Sequence, residues 1–529
     1  EPLLEHFAHL FVSPTEQKHV KDAHGNAVEV HIPLSDSVPV RVGSYKTSPH
    51  ALAIITKHVL EMERIGVVSR MNDSPYSAPC LPVPKPDGTY RMVIDFRRLN
   101  LKVLHYQYPQ CVPEDIYNKL YECTRFSKVD FRWFYWHFKL DDESRKVTCF
   151  TVPGLGSFCY NSMPMGLKIS SAVAQAYADE CFSKIYDGPG PFHNKVGLGN
   201  FVMPYQDDVH IFSSDEHHID YLRYVFEVMS ARNLTAKTVK VEIGKERVNI
   251  LGNIVDALGV HVDPDKTVAI TDMVAPRTKK GLRRFLGMTG YLRKFIQDYG
   301  PRTVNLTNLL ADGIPDRIVA SWAPDHQHEF EWLKHAVVSA PCLATPDWSK
   351  EFILRTDASG YGIGCTLNQM QDGKRRLIAC YSRKLRDAET RYGVRDQECL
   401  AMLYGIRKCR QYIQFSHFTL ETDHRNLLYL KQVGPEQRRL FNYALELSAM
   451  NYTLKHVAGS SLHDADCLSR APVSTELPHE NDDDYVHAGA VADMPTITDV
   501  TDEPEPVAHV DDDQPPHKKV LVLGYVMAT

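Results

Sequence analysis

Two adjacent aspartates interrupt a run of otherwise apolar, strand-forming residues, Met203-Pro-Tyr205-Gln-Asp207-Asp208-Val-His-Ile-Phe212. A β-hairpin buries alternate side chains, so carboxylates placed within it lose water and repel one another. The arrangement is tolerable where cations neutralise the acids, or where the pair sits on a solvated turn. A second interruption of this kind, Phe126-Ser-Lys-Val-Asp130-Phe131, lies upstream. Three carboxylates brought together there could hold two divalent ions about 4 Å apart, which would activate a hydroxyl and stabilise a departing phosphate oxygen. Mg²⁺ suits such a site because it takes oxygen ligands and leaves positions open for phosphates.

The rest of the chain supplies an α+β frame for these segments. The first stretch, to about Pro49, reads as irregular and polar. Ser48-Pro49 then opens a helix in which Ala51, Ile54, Ile55, Val59 and Met62 recur at helical spacing until Gly66. Pro86-Asp87-Gly88 reads as the tip of a hairpin whose second strand is Tyr90–Phe96. Gly281 to Ile296 is basic and amphipathic, with Leu282, Phe285, Leu286, Tyr291, Leu292 and Phe295 on its apolar side. A second mixed unit follows: strands Phe352–Thr356, Gly364–Leu367 and Leu377–Ser382, a helix near Arg395–Arg410 and a strand Phe418–Thr422. Four acids stand out in it: Asp357 after the first strand, Glu398 on the helix, Asp423 after the last strand, and Asp466 near Ser469-Arg470. Singly, Asp423 could cap a helix and Glu398 could lie on a solvated face.

The ordered motifs make the pattern specific. Ser74-Pro-Tyr-Ser-Ala-Pro79, Pro84-Lys-Pro-Asp-Gly-Thr-Tyr-Arg-Met-Val-Ile-Asp-Phe-Arg-Arg-Leu-Asn100, Phe126-Ser-Lys-Val-Asp130, Met163-Pro-Met-Gly-Leu167, Tyr205-Gln-Asp-Asp208 and Leu251-Gly-Asn-Ile-Val255 resemble, in the same order, the reverse transcriptases of gypsy-type LTR retrotransposons. The resemblance covers roughly Pro49 to Arg470. It implies a right-hand polymerase of fingers, palm and thumb, a connection, and a C-terminal α/β ribonuclease H-like domain. It also implies that Asp130, Asp207, Asp208 and the backbone carbonyl of Phe131 hold the polymerase metals. Lys85 and Arg91 would hold the incoming dNTP triphosphate, Arg through paired hydrogen bonds. Tyr135 would be the steric gate against a ribose 2′-hydroxyl, Met165 would line the nucleotide pocket, and Leu251-Gly252 would grip the primer end. A solvated turn is the plainer account of Lys85 and Arg91, and a core aromatic that of Tyr135. The chain departs from the family in Arg132-Trp-Phe134, in Ile169-Ser-Ser171, at Gln206, and in an insertion at Gly188–Asn200.

Downstream, Thr356-Asp-Ala-Ser359, Gln397-Glu-Cys-Leu-Ala401, Thr422-Asp-His424 and Ala465-Asp-Cys-Leu-Ser-Arg470 resemble the ribonuclease H of the same elements. Asp357, Glu398, Asp423 and Asp466 would then hold two further Mg²⁺ ions, with Mn²⁺ as a substitute, and cut the RNA strand of an RNA–DNA hybrid recognised by its shape. The mobile catalytic His of retroviral enzymes has no clear counterpart; His463 stands nearest. Arg283-Arg-Phe-Leu-Gly-Met-Thr-Gly-Tyr-Leu-Arg-Lys-Phe-Ile296 resembles the thumb-to-connection segment, whose basic face could follow a duplex backbone.

The expected division is a lead segment (1–48), fingers and palm (49–255), thumb and connection (256–348), the ribonuclease H-like domain (349–470) and an acidic linker without periodicity (471–529). That last stretch carries 13 Asp and Glu against 2 Lys, leaving 58 Lys and Arg against 53 Asp and Glu before it. A mildly basic body is compatible with polynucleotide binding without requiring it. None of the 12 Cys forms a C-x-x-C pair, which removes the commonest zinc-knuckle and redox readings. No apolar run approaches the ~20 residues of a membrane span. Expected partners are an RNA template, a DNA primer, RNA–DNA hybrid and dNTPs, with protease and integrase on the parent polyprotein. The expected location is a cytoplasmic retroelement particle or the nucleus. The competing reading is a decayed or domesticated element that binds nucleic acid without turnover.

Overall fold

The structure, a computed structural model, describes residues 2–11, 17–85, 88–109, 111–182, 201–214, 216–425 and 436–457. Its centre is a four-stranded sheet in the order Glu242–Lys245, Arg125–Asp130, Asp208–Ser213, Val202–Tyr205. Alternation along these strands sorts the side chains onto two faces. Val129, Val209 and Ile211 join one apolar core with helices Ser170–Phe182 and His218–Ala231. Phe126 and Phe212, of opposite parity, join a second core with Leu282, Phe285 and Phe295. Asp130 and Asp208 share the parity of Phe126 and Phe212, so the acids crown the face turned towards the Lys279–Tyr291 helix region.

The helix expected after Ser48 spans Pro49–Arg64. Ser48 Oγ accepts the Ala51 amide, Pro49 opens the first turn, and Ile55, Val59 and Met62 are buried. The hairpin Cys80–Pro84/Tyr90–Ile94 projects beside it, and a three-stranded sheet orders Val68–Arg70, Gly156–Tyr160 and Phe150–Val152. The lead segment is less independent than its polar composition suggested. Glu29–Val30 pairs in parallel with Lys139–Leu140, and Val20, Val28, Val30 and Ile32 are buried in the same core as Val129, Val209 and Ile211 of the central sheet.

Beyond the three-stranded sheet Arg247–Ile250, Asn253–Asp256, Gly259–Val262 come helices Pro264–Thr271, Lys279–Tyr291, Val304–Asn308 and Pro324–Val338. Leu282, Phe285, Leu292 and Phe295 are buried as expected, but Tyr291 is exposed and directs its hydroxyl to the Leu251 carbonyl at 2.8 Å. A phenol is amphipathic, and here its polar end found a backbone partner that periodicity could not reveal.

The C-terminal unit is a five-stranded sheet in the order Lys374–Lys384, Gly362–Gln371, Phe352–Ala358, Phe418–Thr422, Tyr452–His456, with helices Val394–Ile413 and Arg438–Ser448. The first two pairings are antiparallel and the last two parallel. Asp357 lies inside its strand rather than after it, because pairing with Gly364 extends the ladder to Ala358. This unit docks on the palm side: Trp348 stacks on Tyr412 at 5.9 Å and donates its indole N–H to the Asn118 carbonyl, while Tyr121 donates to Asp347 at 2.8 Å.

Candidate active sites

Asp130 ends its strand and Asp208 begins the neighbouring one, and the two are direct register partners. Asp207 sits on the two-residue turn between them and Tyr205, reached through Gln206 in the left-handed region at φ 54°. That turn is pinned from below. The Gln206 amide donates to Gln175 Oε1 at 2.8 Å, and Gln175 Nε2 donates to the Pro204 carbonyl and to Asp179. The Phe131 amide donates to the Asp207 carbonyl at 2.7 Å, closing the hairpin onto the adjacent strand. Two lysines answer the acids: Lys240 Nζ lies 2.7 Å from Asp130 Oδ2 and Lys128 Nζ lies 2.8 Å from Asp208 Oδ2. Burial, then the charges of Asp208 and Asp130, raises the Asp207 carboxyl above its ordinary range. The hydrogen bond to Asp130 raises Lys240. The bulky Arg132-Trp-Phe134 departure is absorbed by packing. Trp133 takes a left-handed backbone, and buried Phe134 lies 5.0 Å from Phe131 and 5.5 Å from Phe138, ring to ring.

The other residues named from the sequence lie on several separate elements. Tyr135, on the short turn of helix Phe134–His137, is half-buried, pairs with Ser171 and senses the charge of Asp207. Lys85 and Arg91 are exposed on the projecting hairpin, with the Lys85 amide donating to the Thr89 carbonyl. Met165 is 55% exposed, just before Gly166 at φ 89°. Leu251 and Gly252 form a turn with positive φ at both residues, 49° and 78°. Lys266 donates to the Gly252 carbonyl at 2.6 Å and rests over the Tyr291 ring at 4.2 Å.

In the C-terminal unit three acids from three elements converge. One carboxylate oxygen from each of Asp357, Glu398 and Asp423 lies within 4.8 Å of the others. Glu398 is buried, not on a solvated face, and helix Val394–Ile413 holds it against the strand that carries Asp357. Burial first, and then Asp357 and Asp423, pushes the Glu398 carboxyl up to about 8. Burial, Asp298 and Asp423 push Asp357 to about 6. Asp357 reaches solvent while its carboxylate faces this acidic hollow, so the crowding matters more than its residue-level exposure. Asp466 and His463 lie outside the described residues, as do the insertion at 188–200 and the tail from 471.

Both centres fit a hard cation. Their donors are all oxygens. Among the described residues no hydrogen-bond donor reaches two of the buried ones, Asp208 Oδ1 and Glu398 Oε2. Such oxygens are costly unless a cation takes them. Lys128, Lys240, Gln175 and Lys266 were not singled out from the sequence, where each is an ordinary polar residue. Only Lys128 carried a hint, standing two positions before Asp130 and so on the same strand face.

Comparisons with known proteins bear on the domains and the fold. Residues 83–255 match the family described as reverse transcriptase (RNA-dependent DNA polymerase), and residues 347–450 match the RNase H-like domain found in reverse transcriptase. The chain is 31% identical over 79% of its length to the retrovirus-related Pol polyprotein from transposon 297 of Drosophila melanogaster. It is 28% identical over 92% of its length to the transposon Tf2-7 polyprotein of Schizosaccharomyces pombe. It spans 38% and 36% of those two relatives. A solved foamy viral protease-reverse transcriptase in complex with dsDNA shares the fold with a TM-score of 0.75 at 20% identity, over 87% of this chain and 92% of that one. The same protein with RNA/DNA hybrid gives 0.71 at 19% identity, over 91% and 62%. The chain carries a reverse transcriptase domain followed by the RNase H-like domain found in reverse transcriptases, an order that it shares with part of these transposon Pol polyproteins.

Proposed function

We propose that this chain copies RNA and DNA templates into DNA and degrades the RNA of RNA–DNA hybrids, serving replication of a gypsy-type LTR retroelement. The observation that carries the reading is the buried, donor-less carboxylate oxygen at the heart of each acidic centre, Asp208 Oδ1 and Glu398 Oε2. Two Mg²⁺ ions at each centre, when bound, would supply an activated oxygen nucleophile and take up charge on the leaving oxygen. Asp130, Asp207, Asp208 and the Phe131 carbonyl would hold the first pair, and Asp357, Glu398, Asp423 and Asp466 the second.

The remaining work falls to the chain's own groups. Lys85 and Arg91 grasp the triphosphate from the projecting hairpin, where Arg offers a planar fork of donors. Tyr135, held by Ser171 beside the acidic turn, sets its ring where a 2′-hydroxyl would collide. Met165 borders the nucleotide, and the Leu251-Gly252 turn orients the primer end. Lys128 and Lys240 hold the carboxylates in place and screen their repulsion until substrate arrives. The RNA-bearing duplex is read by backbone and shape rather than by base sequence.

The test is primer extension on poly(rA) together with hybrid cleavage, in Mg²⁺, for the wild type, Asp208→Asn and Asp423→Asn. Asp208→Asn should lose extension alone and Asp423→Asn cleavage alone. A wild-type chain that binds primer–template but performs neither reaction would instead establish the nucleic-acid-binding reading.

A further inference from the structure

Asp298 belongs to the segment that leaves the Lys279–Tyr291 helix region, far in sequence from the acids of the C-terminal unit. Its backbone occupies the left-handed region at φ 56°, a conformation Asp tolerates better than most residues but which still carries strain. The turn aims its side chain at the five-stranded sheet. A Cβ at Gly364 would lie 2.9 Å from Asp298 Oδ1, so the carboxylate rests on the bare Cα of that glycine. Gly364 is the register partner of Asp357. Only a residue without a side chain admits the carboxylate at this spot.

The segment is held there from both sides of the turn. The Gly300 amide donates to Ser382 Oγ at 2.9 Å, and a Cβ on Gly300 would come within 2.8 Å of the Arg383 Cα. Pro301 packs where a Gly362 side chain would stand. The Asp298 carbonyl accepts the Arg302 amide at 3.1 Å. Three glycines therefore allow one strained turn to press onto the sheet beside Asp357.

Nothing in ordinary stability explains the acid at its tip. Among the described residues no donor is hydrogen-bonded to the Asp298 carboxylate, and burial raises it above its usual range, with only the Arg302 charge opposing. It stands beside a centre whose Glu398 Oε2 is buried and donor-less. Register partners in an antiparallel ladder have Cα atoms roughly 4.5–5.5 Å apart, which puts Asp298 one shell outside the three converging acids.

We propose that Asp298 is a positioning carboxylate of the hybrid-cleaving centre, strengthening divalent-cation binding there through its field and through cation-bound water. It makes that centre depend on a group delivered by the polymerase-side segment. The inference rests on the proposed cleavage at Asp357, Glu398 and Asp423. Outer groups of this kind characteristically change metal affinity by 10- to 100-fold, and the more remote position here points to the lower end.

The experiment uses the full chain and the variants Asp298→Asn, Asp298→Glu, Gly364→Ala and Asp423→Asn. Three quantities are measured: the Mg²⁺ concentration for half-maximal hybrid cleavage, Mn²⁺ binding by calorimetry, and the metal-free Tm. Asp298→Asn should raise half-saturating Mg²⁺ by about 5- to 10-fold and weaken Mn²⁺ binding in parallel, while cleavage at saturating Mg²⁺ and primer extension stay near wild type. Asp298→Glu should restore part of the affinity. Gly364→Ala, which displaces the carboxylate without removing it, should move the Mg²⁺ dependence in the same direction. The metal-free Tm of Asp298→Asn should hold or rise, since the substitution removes a partly buried charge that no donor holds among the described residues. Unchanged Mg²⁺ and Mn²⁺ dependence in Asp298→Asn would overturn the proposal, as would a fall in Tm that alone accounts for lost cleavage. If the wild type cleaves no hybrid, or Asp423→Asn cleaves normally, the underlying functional reading fails instead.

Discussion

Asp130 and Asp208 face each other as register partners on adjacent antiparallel strands, and each is held by a different lysine, Lys240 at 2.7 Å and Lys128 at 2.8 Å. Two carboxylates in direct opposition destabilise a strand pair unless a positive charge answers them. The metal-free hairpin is therefore neutralised from within, and divalent cations must compete with these ammonium groups.

Lys240→Met should make the metal-free protein less stable by about 1 kcal/mol, a small figure because half of the Lys240 side chain is exposed. Millimolar Mg²⁺ should recover the loss, since the cation replaces the missing charge. Differential scanning fluorimetry with and without Mg²⁺ reads this directly, and an equal loss in both conditions would contradict the account.

The acids of the C-terminal centre set a pH dependence of definite sign. Glu398 is held up to about 8 and Asp357 to about 6, both above their unfolded values. A carboxyl raised on folding contributes stability that is complete below its unfolded value and lost as pH rises through the folded one. Without divalent cations the C-terminal unit should therefore lose stability progressively between about pH 4 and pH 8. Mg²⁺ should stabilise it more at pH 8 than at pH 5. Glu398→Gln should flatten the upper part of the profile; a Tm that climbs with pH in the metal-free wild type would refute the assignment.

Gly259 anchors the junction between the thumb-side sheet and the C-terminal unit. Its φ is 138°, and an added Cβ would overlap the Leu343 carbonyl. That carbonyl accepts the Val260 amide at 2.8 Å, and the Leu343 amide donates back to Val260 at 2.9 Å. Gly259→Ala combines backbone strain with loss of this pair and should cost about 2–4 kcal/mol in urea unfolding. A change below half a kilocalorie would show that the junction can shift freely.

At Gly252 the expected loss is functional. An added Cβ would meet the Lys266 ammonium, and φ is 78°. Displacing Lys266 frees the Gly252 carbonyl and loosens the turn tied to Tyr291 through Leu251. Gly252→Ala should lower primer extension roughly 10- to 100-fold by misplacing the primer end, with hybrid cleavage retained. Equal loss of both activities would point to global unfolding instead.

How much of this was legible beforehand depended on the range of the interaction. The Pro49–Arg64 helix and the Phe418–Thr422 strand were readable because caps and alternation are local properties of the chain. The lead segment misled for the opposite reason. Its polar composition hid buried residues such as Val28 and Val30 whose partners lie more than a hundred positions away, as the pairing of Glu29–Val30 with Lys139–Leu140 shows. Tyr291 was assigned to the apolar face by its spacing, yet the Leu251 carbonyl drew its hydroxyl outward.

The sequence by itself determined where the carboxylates stand along the chain, which strands and helices carry them, and the family to which their order belongs. Tertiary structure alone decided what surrounds them. It set Lys240 on Asp130, brought Glu398 from its helix to Asp357 and Asp423, and laid Asp298 over Gly364. Register and close packing bring together residues hundreds of positions apart, and no local pattern encodes that juxtaposition. The two adjacent aspartates thus announced a costly site, and the folded chain showed what answers them: Lys240 on Asp130 and Lys128 on Asp208.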